Sequence, residues 1–433
     1  MIMSSAPIPM MMNILFGVVL LVGLPLLGLL LAGQPIRPYL EFPPQTRFVH
    51  PTPFSWPIFV GLALLIALTI GSVVVRMARL RVSGPKPLRR AVGYPWWGWV
   101  GAVLTLCSWV LAWNRFPWFA ALQPHTFTPL WLGYILLVNG WTFRRTGQCL
   151  MLDRPRLLLA LFPASAAFWW SFEYLNRFVQ NWYYVGPQPL TPWQYVLHAT
   201  VPFSTVLPAV LSTMELLASV SGLTAGMDRL PTLRWPKPQW AGWALIVFAG
   251  AGLIGIGTWP QALFPIVWVA PLLLITALQI VSGRETIFSR LTQGDASSLW
   301  LAAVAALVCG WWWEMWNSKS LAHWEYAIPS VHRFQLFAMP LLGYAGYLPF
   351  GLECLAVTQW LFPSHYRDMM RSLSRSMRWA RGDERHSERP PLEQQRVRSS
   401  GDGYFTVWVF LAILGGKKGE REWWKGYFDS GRS

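Results

Sequence analysis

The stretch WWSFEYLNRFVQNWYY places a carboxylate and an amide among aromatic rings at the end of an apolar segment. Trp170, Glu173 and Asn176 follow one another at three-residue spacing, and Trp182 and Tyr184 lie a few residues further on. Residues three and four apart share one face of a helix. The spacing therefore predicts a stripe of Trp, Glu and Asn side chains that leads towards a Trp-x-Tyr sequence.

A second stretch, CGWWWEMWNSKSLAHWEY, repeats this arrangement later in the chain. Trp311, Glu314 and Asn317 have the same three-residue spacing, and Trp324 and Tyr326 form the Trp-x-Tyr sequence that follows them. We expect both carboxylates in the outer third of their helices and both Trp-x-Tyr sequences at or just beyond the membrane surface.

The residue types of these stretches point to acid catalysis or to ligand binding. A carboxyl group removed from water can donate a proton near neutral pH, and an aromatic face can stabilise a cation in a dry pocket by about 2 kcal/mol. We consider Glu173 and Glu314 candidate catalytic residues, and the Asn, Trp and Tyr residues named above candidate ligand-binding residues. The alternative is structural: the rings form an interfacial aromatic belt, and Glu173 pairs with Arg177 one turn later.

Two deeper acids, Glu215 and Glu353, are further candidate catalytic residues. An ionisable group inside a membrane costs about 2.5–3.5 kcal/mol to insert and usually faces the protein interior. Both segments contain prolines, which free backbone carbonyls that then need new partners. The second also contains Gly343, Gly346 and Gly351, which allow another backbone to approach closely. The alternative is that each acid is neutral and clamps two helices together.

The elements that carry these residues are predicted from composition. Of the 433 residues, 54% are hydrophobic and only 12% are charged, whereas soluble domains carry about 25% charged residues. Apolar runs of about twenty residues, enough to cross a bilayer, recur along the chain. We predict an all-α, polytopic transmembrane bundle of about ten spans, at 12–32, 54–75, 95–113, 127–143, 157–178, 195–221, 239–257, 260–281, 298–317 and 336–362.

The distribution of Lys and Arg predicts the orientation of these spans. The loop at 76–90 holds six basic residues and the loop at 144–156 holds four, whereas the alternate loops hold far fewer. By the positive-inside rule both termini are cytoplasmic, in what we expect to be a bacterial inner membrane. The net charge of +16 is then mostly a topological signal. It weakens a nucleic-acid-binding interpretation, and anionic membrane lipids are the expected partners.

The motifs belong to a longer internal repeat. Pro202 and Glu215 recur at identical spacing as Pro340 and Glu353, and the matches keep their order between 95–222 and 239–362. Each unit contains four spans, so the two units are expected to run parallel, related by an axis along the membrane normal. The predicted organisation is an N-terminal helical pair at 1–90, four-helix repeats at 91–226 and 227–362, and a basic, partly disordered tail at 363–433.

Other signals are weak. The N-terminal apolar segment is expected to be a retained span, because it lacks a basic leader. The four cysteines and the scattered histidines show no metal-ligand spacing, and no nucleotide-binding or common hydrolase motif occurs, so no metal or cofactor is expected. The tail holds nine arginines between 364 and 399, which could contact lipid or a cytoplasmic partner. The apolar run at 404–416 has no interpretation.

Three functions remain open from the sequence. The first is a membrane enzyme that acts on a lipid or isoprenoid by acid catalysis at the Glu, Asn and aromatic site between the repeats. The second is a secondary transporter of a cationic or amphipathic small molecule, with Glu215 and Glu353 as proton carriers. The third is a non-catalytic scaffold or assembly subunit, in which the acids are interhelical clamps.

Overall fold

The computed structural model describes residues 9–44, 46–79, 93–186, 190–220, 222–233 and 238–381, and these residues are mostly helical with little sheet. Most of the basic loop at 76–90 and the tail from 382 onwards, including 404–416, lie outside the described residues. The predictions for these segments are unaffected.

The described residues of the first half of the chain form nine α-helical segments, α1 to α9. They are Met10–Leu31 (α1), Arg37–Leu40 (α2), Trp56–Arg79 (α3), Trp96–Trp113 (α4), Phe127–Thr146 (α5), Leu150–Asp153 (α6), Pro155–Val179 (α7), Pro192–Phe203 (α8) and Val206–Ala218 (α9). Strand β1, Trp182–Val185, follows α7, and 3-10 turns at Pro117–Phe119 and Gln123–His125 precede α5.

The second half has a similar order of elements. Its helices are Pro238–Ile256 (α10), Pro260–Leu263 (α11), Ala270–Val281 (α12), Ser297–Asn317 (α13), Tyr347–Leu361 (α14) and Pro363–Arg381 (α15), with strands His323–Tyr326 (β2), Gln335–Leu336 (β3) and Met339–Pro340 (β4). Turns of 3-10 helix lie at Phe264–Trp268, Ser289–Gln293 and Leu341–Gly346.

Seven of the described helical stretches are long and apolar enough to cross a membrane, or eight if a bent pair counts as one span. The bent pair joins Pro260–Trp268 to Ala270–Val281 at an angle of 56°. These apolar helices indicate an integral membrane protein. Helices α5 and α7 lie where two further spans were predicted but are less apolar, so the count of ten spans stays a prediction.

Each half pairs its helices in the same way. Helix α4 packs against α5, and α10 packs against α12. Helix α9 lies at the centre, in contact with α5, α7 and α13, and most of its residues are buried. Each half also places a short strand after its motif helix and then a helix with a break or a 3-10 start. The order is what a duplicated unit requires, although the repeat itself stays a prediction.

The break between α8 and α9 shows how the chain satisfies the backbone near Pro202 and Pro208. Ser165 of α7 inserts its hydroxyl into the interrupted helical ladder. The hydroxyl donates to the carbonyl of Phe203 at 2.6 Å and accepts from the backbone N–H of Leu207 at 3.0 Å. One serine therefore bridges the carbonyl and the N–H group that the break between α8 and α9 leaves apart.

Close backbone packing occurs at one of the three glycines named from the sequence. A Cβ atom at Gly351 would collide with the backbone carbonyl of Ala302, so α14 and α13 touch backbone to backbone there. At Gly343 the neighbour is the flexible Met339 side chain, and at Gly346 nothing lies within 4 Å. The prediction of close approach therefore holds at Gly351 alone.

Candidate functional site

The two Trp-x-Tyr sequences, which carried no strand prediction, form one small sheet. Strands β1 and β2 pair antiparallel, with Trp182 opposite Tyr326 and Tyr184 opposite Trp324. The pairing is symmetric about Tyr183 and Glu325, whose side chains are joined by a hydrogen bond. Because side chains alternate along a strand, these two residues lie on the opposite sheet face from the Trp-x-Tyr residues.

The two asparagines build the turns that lead into these strands. The Asn176 amide donates to the carbonyl of Trp182 at 2.8 Å and accepts from the backbone N–H of Asn181 at 2.8 Å. Asn317 donates to the carbonyl of Trp324 at 2.7 Å and accepts from its N–H at 2.8 Å. Both amides are buried and used by the backbone. These contacts give the two asparagines a positioning role.

The carboxyl group of Glu173 is completely buried and held by three donors. Trp169 Nε1 lies 3.0 Å away, Trp182 Nε1 3.1 Å and the Tyr184 hydroxyl 2.6 Å, and all three contact Oε1. No described residue forms a hydrogen bond with Oε2. The suggested ion pair with Arg177 is absent from the described contacts of Glu173, because Arg177 instead donates to the carbonyl of Glu41.

Glu314 has an equivalent environment built from tyrosines. Its Oε1 accepts from the Tyr326 hydroxyl at 2.6 Å and from the Tyr347 hydroxyl at 2.7 Å. Trp324 Nε1 donates to the Tyr326 hydroxyl at 2.8 Å and so supports this arrangement from one step away. Glu314 is also completely buried, and its Oε2 again has no hydrogen-bond partner among the described residues.

The donors of both carboxyl groups face one cavity of about 1180 Å³. Its wall is largely aromatic and apolar, and it includes Trp169, Trp182, Tyr184, Tyr326 and Tyr347. Ligand pockets for small molecules usually enclose about 300–1,000 Å³, so this cavity has room for a larger molecule. Each glutamate thus lies behind a layer of Trp and Tyr side chains that separates it from the cavity.

The predicted ligand-binding residues divide into two groups. Trp182, Tyr184, Trp324 and Tyr326 line the cavity. Trp170 and Trp311 do not line it: Trp170 donates to the Thr200 hydroxyl at 3.0 Å, and Trp311 packs against Trp312 and Phe337. The helical stripe expected from the spacing therefore holds two acids that lie behind the cavity wall, but its first tryptophans pack elsewhere.

The two deeper acids lie away from the cavity wall. Glu215 is buried and forms an ion pair with Arg154, which precedes α7. Glu353 accepts from the backbone N–H of Leu272, in the first turn of α12, at 3.3 Å. A carboxylate is favourable at a helix N-terminus. Each acid is therefore joined to a second element, as the clamp alternative required, although the ion pair of Glu215 departs from the neutral carboxyl group that this alternative assumed.

Sequence reasoning missed several residues of the cavity. Trp169 and Tyr347 contact the carboxyl groups directly, and Trp313, Tyr195 and Trp268 complete the aromatic wall. Tyr347 begins α14, far along the chain from Glu314, so only the tertiary fold brings them together. Trp169 was visible as a ring one turn before Glu173, which is a spacing that predicts contact on a helix.

Two histidines meet at the cavity wall. The rings of His125 and His198 have centroids 4.3 Å apart, and both residues line the cavity. Burial, together with the neighbouring His198, lowers the pKa of His125. Among the described residues, no three His, Cys, Asp or Glu side chains lie together in a way that could hold a metal ion.

The strand tyrosines are held as neutral hydroxyls. Burial and the adjacent Glu173 raise the pKa of Tyr184 well above its usual value, and burial and Glu314 do the same for Tyr326. Both side chains therefore keep their protons across the physiological pH range. Each can donate either to its glutamate or towards the cavity.

Comparison of the chain with protein-family models, with curated proteins and with solved structures finds no match. The structure on its own defines the class, which is a helical integral membrane protein with a large aromatic cavity. Two buried carboxyl groups, one from each half of the chain, lie immediately behind the wall of that cavity.

Proposed function

We propose that the protein binds an unsaturated lipid or isoprenoid in the aromatic cavity and acts on it by acid catalysis, with Glu173 and Glu314 as the proton sources. The observation that carries this proposal is that the tyrosines lining the cavity are hydrogen-bonded to both buried carboxyl groups. A large apolar cavity selects a hydrophobic ligand, and a carboxyl group behind its wall supplies a proton.

The proton reaches the ligand through a tyrosine. In the protonated state, Glu173 passes its proton to the Tyr184 oxygen while the Tyr184 proton moves to one carbon of a substrate double bond. The other carbon of that bond becomes cationic. Loss of a neighbouring proton to the Tyr184 oxygen, which passes its own proton back to the Glu173 carboxylate, then gives a neutral isomer and restores the protonated acid. Glu314 can use Tyr326 or Tyr347 in the same way, because both hydroxyls contact its Oε1.

The aromatic wall suits the cationic intermediate of this reaction. A cation near the face of a Trp or Tyr ring is stabilised by about 2 kcal/mol when water is excluded. Trp182, Trp324 and Trp313 present such rings to the cavity from three different elements. The apolar wall also disfavours water beside the cation, which protects it from quenching before rearrangement.

Glu215 and Glu353 have no part in this proposal. Neither carboxyl group lines the aromatic cavity: Glu215 is paired with Arg154, and Glu353 accepts from the backbone N–H of Leu272. A scaffold would not need a cavity of this size, so the scaffold alternative does not explain it. Acid catalysis therefore accounts for more of the described contacts than either alternative.

Deuterium incorporation tests the proposal without knowledge of the natural substrate. The full chain is reconstituted in vesicles with squalene and a total extract of unsaturated membrane lipids, in D2O buffer. Acid catalysis puts solvent deuterium on carbon, and mass spectrometry detects it. We expect incorporation with the native chain, and a loss of about 100-fold or more in the Glu173→Gln/Glu314→Gln double variant.

The matched control is Glu285→Gln, which alters an exposed acid that does not line the aromatic cavity. It should retain the native rate. Equal incorporation in the double variant and the native chain would refute acid catalysis by these residues, as would a native chain with no activity above protein-free vesicles.

A further inference from the structure

A second groove, of about 730 Å³, lies between the segment Glu285–Gln293 and helix α15. It shares no lining residue with the aromatic cavity. Its lining is strongly basic, with a single acidic residue, Glu285, among several arginines. The arginines that line it are Arg290, Arg367, Arg371, Arg375 and Arg378.

Helix α15 is amphipathic, and its two faces have different roles. One face buries Tyr366, Met369, Met370, Leu373 and Met377 against the rest of the protein. The arginines at 367, 371, 375 and 378 follow the spacing of the opposite helical stripe and line the groove. The apolar face therefore fixes the helix, and this fixes the position of the basic stripe.

The arginines of the groove differ in whether they have partners within the protein. Arg290 contacts Asp295 at 2.5 Å and the Ser374 hydroxyl at 3.1 Å, and Arg371 contacts Asp368 at 3.1 Å. For Arg367 and Arg375, no described residue forms an ion pair or a hydrogen bond with the guanidinium group. Two arginine side chains thus face the groove with their donors available.

The groove lies at the end of a candidate membrane span. The apolar stretch Leu341–Leu361 is long enough to cross a bilayer, and α15 begins at Pro363, directly after it. If that stretch crosses the bilayer, a groove at its end lies near the lipid headgroups. The hydroxyl groups of Ser289, Thr292 and Ser374 line the same space and add neutral donors to the charged ones.

We propose that this groove is a binding site for a phosphate group, with Arg367 and Arg375 as its main contacts. Guanidinium groups bind phosphate with paired N–H donors, which gives both affinity and geometry. The phosphate belongs either to the headgroup of an anionic phospholipid or to a soluble phosphorylated molecule, since both offer the same chemistry to the groove.

Binding can be measured on the full chain purified in neutral detergent. The probes are short-chain phosphatidylglycerol, phosphatidylcholine of the same chain length, and inorganic pyrophosphate, each titrated while thermal unfolding is followed by tryptophan fluorescence. We expect phosphatidylglycerol or pyrophosphate to raise the midpoint saturably. The Arg367→Ala/Arg375→Ala variant should bind about tenfold more weakly, because each basic side chain contributes measurably to anionic-headgroup affinity.

The control variant is Arg79→Ala/Arg156→Ala, which removes two exposed arginines that do not line the groove. It should bind like the native chain, whereas Arg367→Lys/Arg375→Lys should retain part of the affinity and so show that a folding defect is not responsible. A response to phosphatidylglycerol alone assigns the site to a headgroup, and a response to pyrophosphate assigns it to a soluble ligand. Equal binding by the native chain and the Arg367→Ala/Arg375→Ala variant, or no saturable response to either anion, would overturn the proposal.

Discussion

Trp182 and Tyr326 are direct neighbours across the antiparallel β1–β2 pair, and each donates a hydrogen bond to a different buried carboxyl group. Trp182 contacts Glu173, from the first half of the chain, and Tyr326 contacts Glu314, from the second. One cross-strand pair therefore joins both acid sites, which lie on separate helices. A change at either acid can reach the other through two adjacent side chains.

Activity should depend on the hydroxyl of Tyr184, which lies on the cavity face of the sheet, and not on that of Tyr183, which lies on the opposite face. Tyr184→Phe removes the hydroxyl between Glu173 and the cavity, so it should lower deuterium incorporation by about 100-fold at that site. The reaction is measured in the Glu314→Gln background, so that only the Glu173 site contributes.

Tyr183→Phe is the matched control for this prediction. Tyr183 is adjacent in the same strand, but its hydroxyl donates to Glu325 on the other sheet face. It should leave the rate within about twofold of its parent, since general acid catalysis needs a donor within reach of the substrate. Equal losses in the two variants would mean that the strand, rather than the hydroxyl, is needed.

Removal of one partner of the Arg154–Glu215 ion pair should destabilise the protein. Arg154→Met leaves a buried carboxylate without its partner, which should lower the free energy of unfolding by about 3–5 kcal/mol. The double variant Arg154→Met/Glu215→Met removes both charges and should recover most of that loss. Denaturation in detergent, followed by tryptophan fluorescence, measures the difference. A double variant less stable than Arg154→Met would contradict the clamp interpretation.

Gly351 and Gly346 offer a paired test of helix packing. Gly351→Ala forces a methyl group against the backbone carbonyl of Ala302, so it should cost about 1–3 kcal/mol of stability. Gly346→Ala places the same methyl group where nothing lies within 4 Å, at a backbone φ of −63° that alanine adopts without strain. Its unfolding midpoint should match or exceed that of the native chain. Similar midpoints for the two variants would show that α13 and α14 do not touch there.

Acid should destabilise the fold through His332. Burial lowers the pKa of His332 from 6.5, and Gln335 Nε2 lies 2.9 Å from its Nε2, as expected for a neutral ring that accepts a hydrogen bond. The unfolded chain therefore binds more protons just below pH 6.5, so stability is full above that pH and declines as the pH falls below it.

The pH dependence is measured as the unfolding midpoint between pH 7.5 and 5. The His332→Gln variant should lose less stability than the native chain over this range, because it has no imidazole to protonate. The control His50→Gln alters an exposed histidine and should follow the native curve. A His332→Gln curve identical to the native one would assign the acid sensitivity to other groups.

The sequence predicted the helices well because their signal is local. Apolar runs and prolines marked most helical segments to within a few residues, as in the spans predicted at 298–317 and 95–113, but the span predicted at 336–362 begins with strand residues and a 3-10 turn, and α14 starts only at Tyr347. Spacing on one helical face also pointed to Glu173 and Glu314, whose catalytic role stays a prediction. The three-residue spacing did not predict the positions of Trp170 and Trp311, because their packing depends on neighbours such as Thr200 and Phe337.

Apart from Trp169, the missed features depend on contacts between distant parts of the chain. A four-residue strand such as Trp182–Val185 has no stable existence alone, and its partner His323–Tyr326 lies in the other half of the sequence. For the same reason, the contacts of Arg154 with Glu215 and of Tyr347 with Glu314 could not be predicted from the sequence. Tertiary contacts of this kind leave no periodic pattern to read.

Helix α3 forms part of the wall of the aromatic cavity but is not buried by the rest of the protein. Hydrogen bonds from Ser55 to Ser330 and from Arg76 to the Gly226 carbonyl hold its two ends. None of its residues is buried, yet Leu62 and Ile66 line the cavity. If the ligand is a lipid, as we propose, displacement of this one helix would open the cavity sideways to the bilayer, and the ligand would reach it without entering water.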